Sequence, residues 1–187
     1  MKTLLEFDAV LAECRALFEA KTRDYGTSWR IFRLPSLTDQ LYIKACRIRN
    51  IESSGTQLVE EGVRPEFMGL INYSIMALIQ LELGIPPVVS TDTPVNMDLQ
   101  VALEQFDHQA AANRFLLSNK NHDYGEAWRE MRPSSLTDMI LVKLLRIKQI
   151  EDNGGKTEVS EGVEGGFRDI INYAVFALIQ HDAHSNL

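Results

Sequence analysis

Apolar residues at the start of the chain recur at steps of three and four. Leu4, Phe7, Leu11, Cys14, Leu17 and Phe18 share one stripe, which predicts an amphipathic helix ending near Lys21. Gly26 stops the pattern, and Pro35 lies before the next one. Ser36 followed three residues later by Asp39 has the form of a capping box with aspartate replacing glutamate, and it predicts a second helix running to about Glu52. The stripe of that helix is Leu37, Leu41, Ile48 and Ile51, with Lys44 at the position that should complete it. A lysine there is costly unless its ammonium reaches a carboxylate or water. A loop containing Gly55 leads to a third helix, from about Pro65 to Glu82. It is apolar around much of its circumference and is therefore expected to be the most buried of the three.

The pattern is then written a second time. Asp24-Tyr25-Gly26, Trp29-Arg30, Arg33, Ser36-Leu37-Thr38-Asp39, Lys44, Arg47-Ile48 and Ile51-Glu52 recur 99 residues later, as Asp123-Tyr124-Gly125, Trp128-Arg129, Arg132, Ser135-Leu136-Thr137-Asp138, Lys143, Arg146-Ile147 and Ile150-Glu151. After one inserted residue the offset becomes 100, pairing Glu61-Gly62-Val63, Phe67, Ile71-Asn72-Tyr73 and Ala77-Leu78-Ile79-Gln80 with their counterparts from Glu161 to Gln180. Residues 1–84 and 98–187 are thus tandem copies of one three-helix module. Residues 85–97, with three prolines between Pro86 and Pro94, form a linker long enough to cross a bundle. Strand signals are nearly absent. The expectation is an all-α, six-helix bundle whose repeats are related by a pseudo-two-fold axis and share one core, because about 80 residues alone make a marginal core.

Composition narrows the function. The formal net charge is −7, with 45% hydrophobic and 24% charged residues. An acidic chain is a poor non-specific nucleic-acid binder, since that task needs a basic face, but a local basic pocket for a small phosphorylated ligand remains open. Ten cations recur in this acidic background: Lys21, Arg30, Arg33, Lys44 and Arg47, with Lys120, Arg129, Arg132, Lys143 and Arg146. The acids at Glu6 and Asp8 break the N-terminal apolar run too early for a signal peptide, and no apolar stretch approaches a membrane span. Cys14 and Cys46 lack metal-type spacing and are not reproduced in the second copy, so a cytoplasmic, reduced protein is expected, with an oligomer open.

Two constellations carry candidate chemistry. The first is Lys21, Asp24, Tyr25, Trp29, Arg30 and Arg33, with Lys120, Asp123, Tyr124, Trp128, Arg129 and Arg132. It combines aromatics that can stack a base with cations that suit phosphate, or alternatively packs Trp29 over a helix corner with Asp24 bridged by arginine. The second joins Lys44, Arg47, Lys143 and Arg146 to nearby acids. In the second copy Glu161, Asp169 and Asn172 form a candidate Mg²⁺ ligand set, whereas the first copy has Gly69 where Asp169 stands. The competing reading is a salt-bridge network that locks three helices together. His181 and His184 have helical metal-ligand spacing at the C-terminal end, and no nucleophile elbow, phosphate-binding glycine loop or paired-cysteine motif occurs.

The string Lys-x-x-Asp-Tyr-Gly-x-x-Trp-Arg, followed by Ser-Leu-Thr-Asp, Lys-x-x-Arg-Ile and a late Ile-Asn-Tyr, resembles the bacterial nucleotide-modification-associated domain family in its tandem form, over both modules. That resemblance implies a role in nucleotide metabolism. A more distant likeness is to all-α nucleoside triphosphate pyrophosphohydrolases, which hold Mg²⁺ with acids on facing helices. Here the corresponding positions carry Lys44-x-x-Arg47 and Asp169-x-x-Asn172. The leading expectation is a nucleotide-binding protein that uses these cations, with Mg²⁺-dependent hydrolysis as its enzymatic form. The alternative is a non-catalytic helical scaffold or interaction module whose repeated charges are structural.

Overall fold

The computed structural model describes residues 2–56, 62–87, 96–159 and 162–185, without the side chains of 184 and 185. Within them lie six α-helices: α1 (Lys2–Tyr25), α2 (Leu34–Ser54), α3 (Arg64–Leu83), α4 (Leu99–Tyr124), α5 (Pro133–Asp152) and α6 (Val163–Ser185). Short 3₁₀ turns, Ser28–Ile31 and Ala127–Glu130, separate α1 from α2 and α4 from α5. The all-α expectation holds. No helix among the described residues is long and apolar enough to cross a membrane.

Two boundaries differ from the sequence reading for identifiable reasons. α1 continues past Lys21 to Tyr25, where Gly26 takes a positive φ of 63° and donates its N–H back to the Thr22 carbonyl at 2.9 Å. Gly125 ends α4 with φ 62°. This left-handed backbone is open to glycine without a Cβ penalty. The proposed capping boxes do not form. Arg33 and Arg132 are the N-caps of α2 and α5, and Pro35 and Pro133 sit within the first helical turn, where a missing N–H costs nothing. Asp39 and Asp138, freed from capping, pair across the bundle instead.

Packing joins like to like: α1 with α4, α2 with α5, α3 with α6. Cross-repeat contacts come in reciprocal sets, as a two-fold axis demands. Thr38 Oγ1 donates to Glu151 and Thr137 Oγ1 to Glu52, both at 2.8 Å. Arg15 pairs with Asp107 at 2.6 Å and Arg114 with Asp8 at 2.7 Å. Lys148 meets Asp39 and Arg49 meets Asp138. Each set occupies equivalent positions with the repeats exchanged, which places the pseudo-dyad between the paired helices.

α3 and α6 lie at the centre. Leu70, Ile71, Ile75 and Ile79 of α3, and Phe167, Ile170, Ile171 and Val175 of α6, are buried within one continuous apolar cluster drawn from both repeats. Each such side chain contributes about 1.5–3 kcal/mol when fully buried.

Candidate functional site

Each repeat has a cleft in the same place, between the C-terminal end of its first helix, the 3₁₀ turn and its third helix. In the first repeat the cleft encloses about 640 Å³, lined among others by Lys21, Tyr25, Trp29, Lys44, Glu66 and Tyr73. In the second a cavity of about 420 Å³ is lined by the equivalents Lys120, Tyr124, Trp128, Asp169 and Tyr173. An adjoining cavity of about 360 Å³, lined by Lys143, Arg146, Gly165 and Gly166, shares Asp169 as its border.

The 3₁₀ turn forms one wall, and its position follows from a repeated glutamine. Gln80 Nε2 donates to the Arg30 and Phe32 carbonyls at 2.8 and 2.7 Å. Gln180 does the same for Trp128 and Met131 at 3.3 and 3.0 Å. Clamped in this way, Trp29 and Trp128 are each 7% exposed. Phe176 stacks on Trp128 at 4.3 Å between centroids, and the Arg129 guanidinium lies 4.4 Å from the same ring. Yet among the described residues both indole Nε1 atoms are buried with no hydrogen-bond partner, as is Asn72 Oδ1 in the first cleft. Leaving one such group unpaired costs about 1–3 kcal/mol. The same orphan donor recurs at equivalent positions of both repeats.

The predicted cations divide into three groups. Arg30 and Arg129 turn away from the clefts. Arg30 is buried and donates to Gln80 and to the Gly84 carbonyl, and burial holds its guanidinium pKa below the usual value. Arg129 reaches Glu6 and Glu126, and hydrogen bonds from Arg129 and Thr3 hold the Glu126 carboxyl down to about 2. Lys44, Arg47, Lys120 and Lys143 are paired. Lys44 and Arg47 meet Glu66 at 3.1 and 2.5 Å, while Lys120 and Lys143 meet Asp169 at 2.8 and 2.7 Å. Lys21, Arg33, Arg132 and Arg146 are exposed and make no ion pair among the described residues. Tyr25 and Tyr124 stand exposed at the cleft mouths, and Asp24 and Asp123 are exposed beside them. Asp24 has no arginine bridge among the described residues.

Burial raises the Glu66 and Asp169 pKa values, but hydrogen bonds and charge from their lysine and arginine partners outweigh it, so both carboxyls end below the ordinary range. Tyr173, half-buried and close to Asp169, is pushed up. Of the candidate metal ligands, Glu161 lies outside the described residues. Asp169 is held by two ammonium groups, and Asn172 Oδ1 accepts from Asn113 at 2.8 Å. A divalent ion at Asp169 would have to displace both lysines. Among the described residues no group of three or more His, Cys, Asp and Glu side chains is placed to hold a metal.

Sequence reasoning passed over Glu66, Tyr73 and the Gln80–Gln180 clamp. The repeated Ile-Asn-Tyr and Ala-Leu-Ile-Gln strings were the available signal for all but Glu66. Glu66 itself has no counterpart in the second repeat, where Gly166 stands.

A family model described as nucleotide modification associated domain 1 matches residues 21–81 and again 120–181. No curated protein and no solved structure matches the chain, so the pyrophosphohydrolase likeness gains no support. Both matched segments begin at the cleft lysine, Lys21 or Lys120, and run through the third helix of their repeat.

Proposed function

The chain belongs to the nucleotide modification associated domain 1 family, and on that premise we propose that each repeat binds a nucleotide in its cleft. The observation that carries this reading is the recurrence of a buried, unpartnered indole N–H beside the cleft lysine in both repeats. The base enters the apolar end, where a shift of the Trp29 or Trp128 ring brings its N–H to a ring nitrogen or carbonyl, and Tyr25 or Tyr124 stacks at the mouth. The phosphates meet cations carried by the first and second helices of each repeat. Mg²⁺ arrives on those phosphates, because both carboxylates lining the clefts are already ion-paired.

A thermal-shift panel of ribo- and deoxyribonucleotides, with and without Mg²⁺, tests the proposal. A ligand present at one hundred times its Kd stabilises by about 2.7 kcal/mol, which for a chain of this size raises Tm by roughly 5–10 °C. A panel without movement at millimolar ligand overturns it. The ion pairs at Glu66 and Asp169 favour a second reading, a scaffold in which these charges only lock the helices. That reading predicts the same stability with every nucleotide.

A further inference from the structure

The single acid in each cleft has moved by one helical turn. In the first repeat the third helix carries Glu66 and Gly69, and in the second it carries Gly166 and Asp169 at the equivalent positions. Three cations and one carboxylate gather at equivalent positions in each repeat, Lys21, Lys44 and Arg47 or Lys120, Lys143 and Arg146, but the carboxylate neutralises different partners. Glu66 takes Lys44 and Arg47 and leaves Lys21 unpaired. Asp169 takes Lys120 and Lys143 and leaves Arg146 unpaired. Neither Lys21 nor Arg146 makes an ion pair among the described residues. Lys21 lines the first cleft at the Trp29 end, whereas Arg146 lines the cavity on the far side of Asp169, against Gly165 and Gly166.

We infer that the two clefts are non-equivalent sites that seat the phosphates of their ligand at opposite ends, near Lys21 in the first repeat and near Arg146 in the second. An anion is drawn to the cation whose charge is not already neutralised, and in each repeat the position of the acid selects that cation. Reversing the exchange in the first repeat would require Lys44 to move. A Cβ at Gly69 would lie 2.8 Å from Lys44 Cε, so the lysine stem already fills the place that the acid holds in the second repeat.

The inference rests on the nucleotide reading, and one experiment separates their failures. The chain has two tryptophans, one in each cleft, so the two indole N–H resonances in a ¹H–¹⁵N spectrum report the sites separately. They are followed while the four ribonucleoside monophosphates and triphosphates are titrated into wild type and into Lys21→Ala, Arg47→Ala, Lys120→Ala and Arg146→Ala. Each variant removes one positive charge, so comparison within a cleft cancels the long-range electrostatic effect. At the Trp29 resonance Lys21→Ala should weaken binding on the order of tenfold and more than Arg47→Ala. At the Trp128 resonance Arg146→Ala should do so more than Lys120→Ala. Arg47→Gln and Lys120→Gln repeat the comparison should either alanine variant lose its native spectrum. If the lysine of the first helix dominates in both clefts, or the arginine of the second helix in both, the inference is overturned and nucleotide binding stands. If no nucleotide moves either indole at millimolar concentration, both fall.

Discussion

Replacing Asp169 with asparagine separates a phosphate-binding cleft from a purely structural network, because the two readings agree on stability and disagree on binding. The Asp169 side chain is 18% exposed and holds Lys143, 20% exposed, at 2.7 Å and Lys120, 45% exposed, at 2.8 Å. A half-buried hydrogen bond to a charged group contributes about 1.5–3 kcal/mol, and the more exposed pair about 0–1 kcal/mol. Asparagine is nearly isosteric and retains one acceptor, so the expected loss is roughly 1–2 kcal/mol, or about 2–8 °C in Tm. The same change leaves two ammonium groups without their counter-charge at the cleft wall. If phosphates bind there, affinity for a nucleoside triphosphate should rise about tenfold, since an internal competitor worth about 1.4 kcal/mol has been removed. Urea unfolding and calorimetric titration of wild type and variant measure both quantities. A stability loss without any gain in affinity refutes the cleft reading. An unchanged unfolding midpoint refutes the network.

Further predictions follow from the same geometry. Gln80→Ala and Gln180→Ala each release the 3₁₀ turn and should cost about 1–3 kcal/mol by urea unfolding, with increased fluorescence quenching of the local tryptophan by acrylamide. Thr38→Val and Thr137→Val, related by the pseudo-dyad, should destabilise equally to within about 0.5 kcal/mol; a large inequality in unfolding midpoints would show that the interface is not symmetric. Glu66 and Asp169 have folded pKa values below their unfolded ones, so the folded state binds fewer protons, and their contribution is complete above the unfolded range near pH 4 and is lost as pH falls through the folded values. Stability measured from pH 5 to pH 2 should therefore fall less steeply in Asp169→Asn than in wild type. Burial raises Glu52 and Glu151, which contribute with the opposite sign, so acidification from neutrality first relieves their desolvation.

The helices were legible because their apolar stripes keep a 3.6-residue period, and the repeat made each one readable twice. Their ends were less so. Ser36 and Asp39 imitate a cap, but Pro35 fits the first turn and lets α2 start at Leu34. At the site, the need of Lys44 and Lys143 for a carboxylate followed from their place on a core-facing stripe. The partners did not, because Asp169 reads as a metal ligand and Glu66, one turn earlier, has Gly166 as its counterpart. Arg30 and Arg129 read as phosphate ligands beside a tryptophan. Glu126 is close to Arg129 in sequence, but Gln80 and Gly84, the partners of Arg30, and Glu6, the other partner of Arg129, are 50 residues or more away, beyond the reach of a local pattern. The orphan indole donors depend on what surrounds them in three dimensions and leave no mark in the sequence.

A crystal soaked with a nucleotide carrying bromine on its base tests the central claim most directly, since the anomalous signal locates the base independently of any model of the ligand. The account predicts bromine peaks inside the clefts beside Trp29 and Trp128, with a base acceptor within hydrogen-bond distance, about 3 Å, of each indole nitrogen. Bromine found only outside both clefts at saturating nucleotide would contradict it.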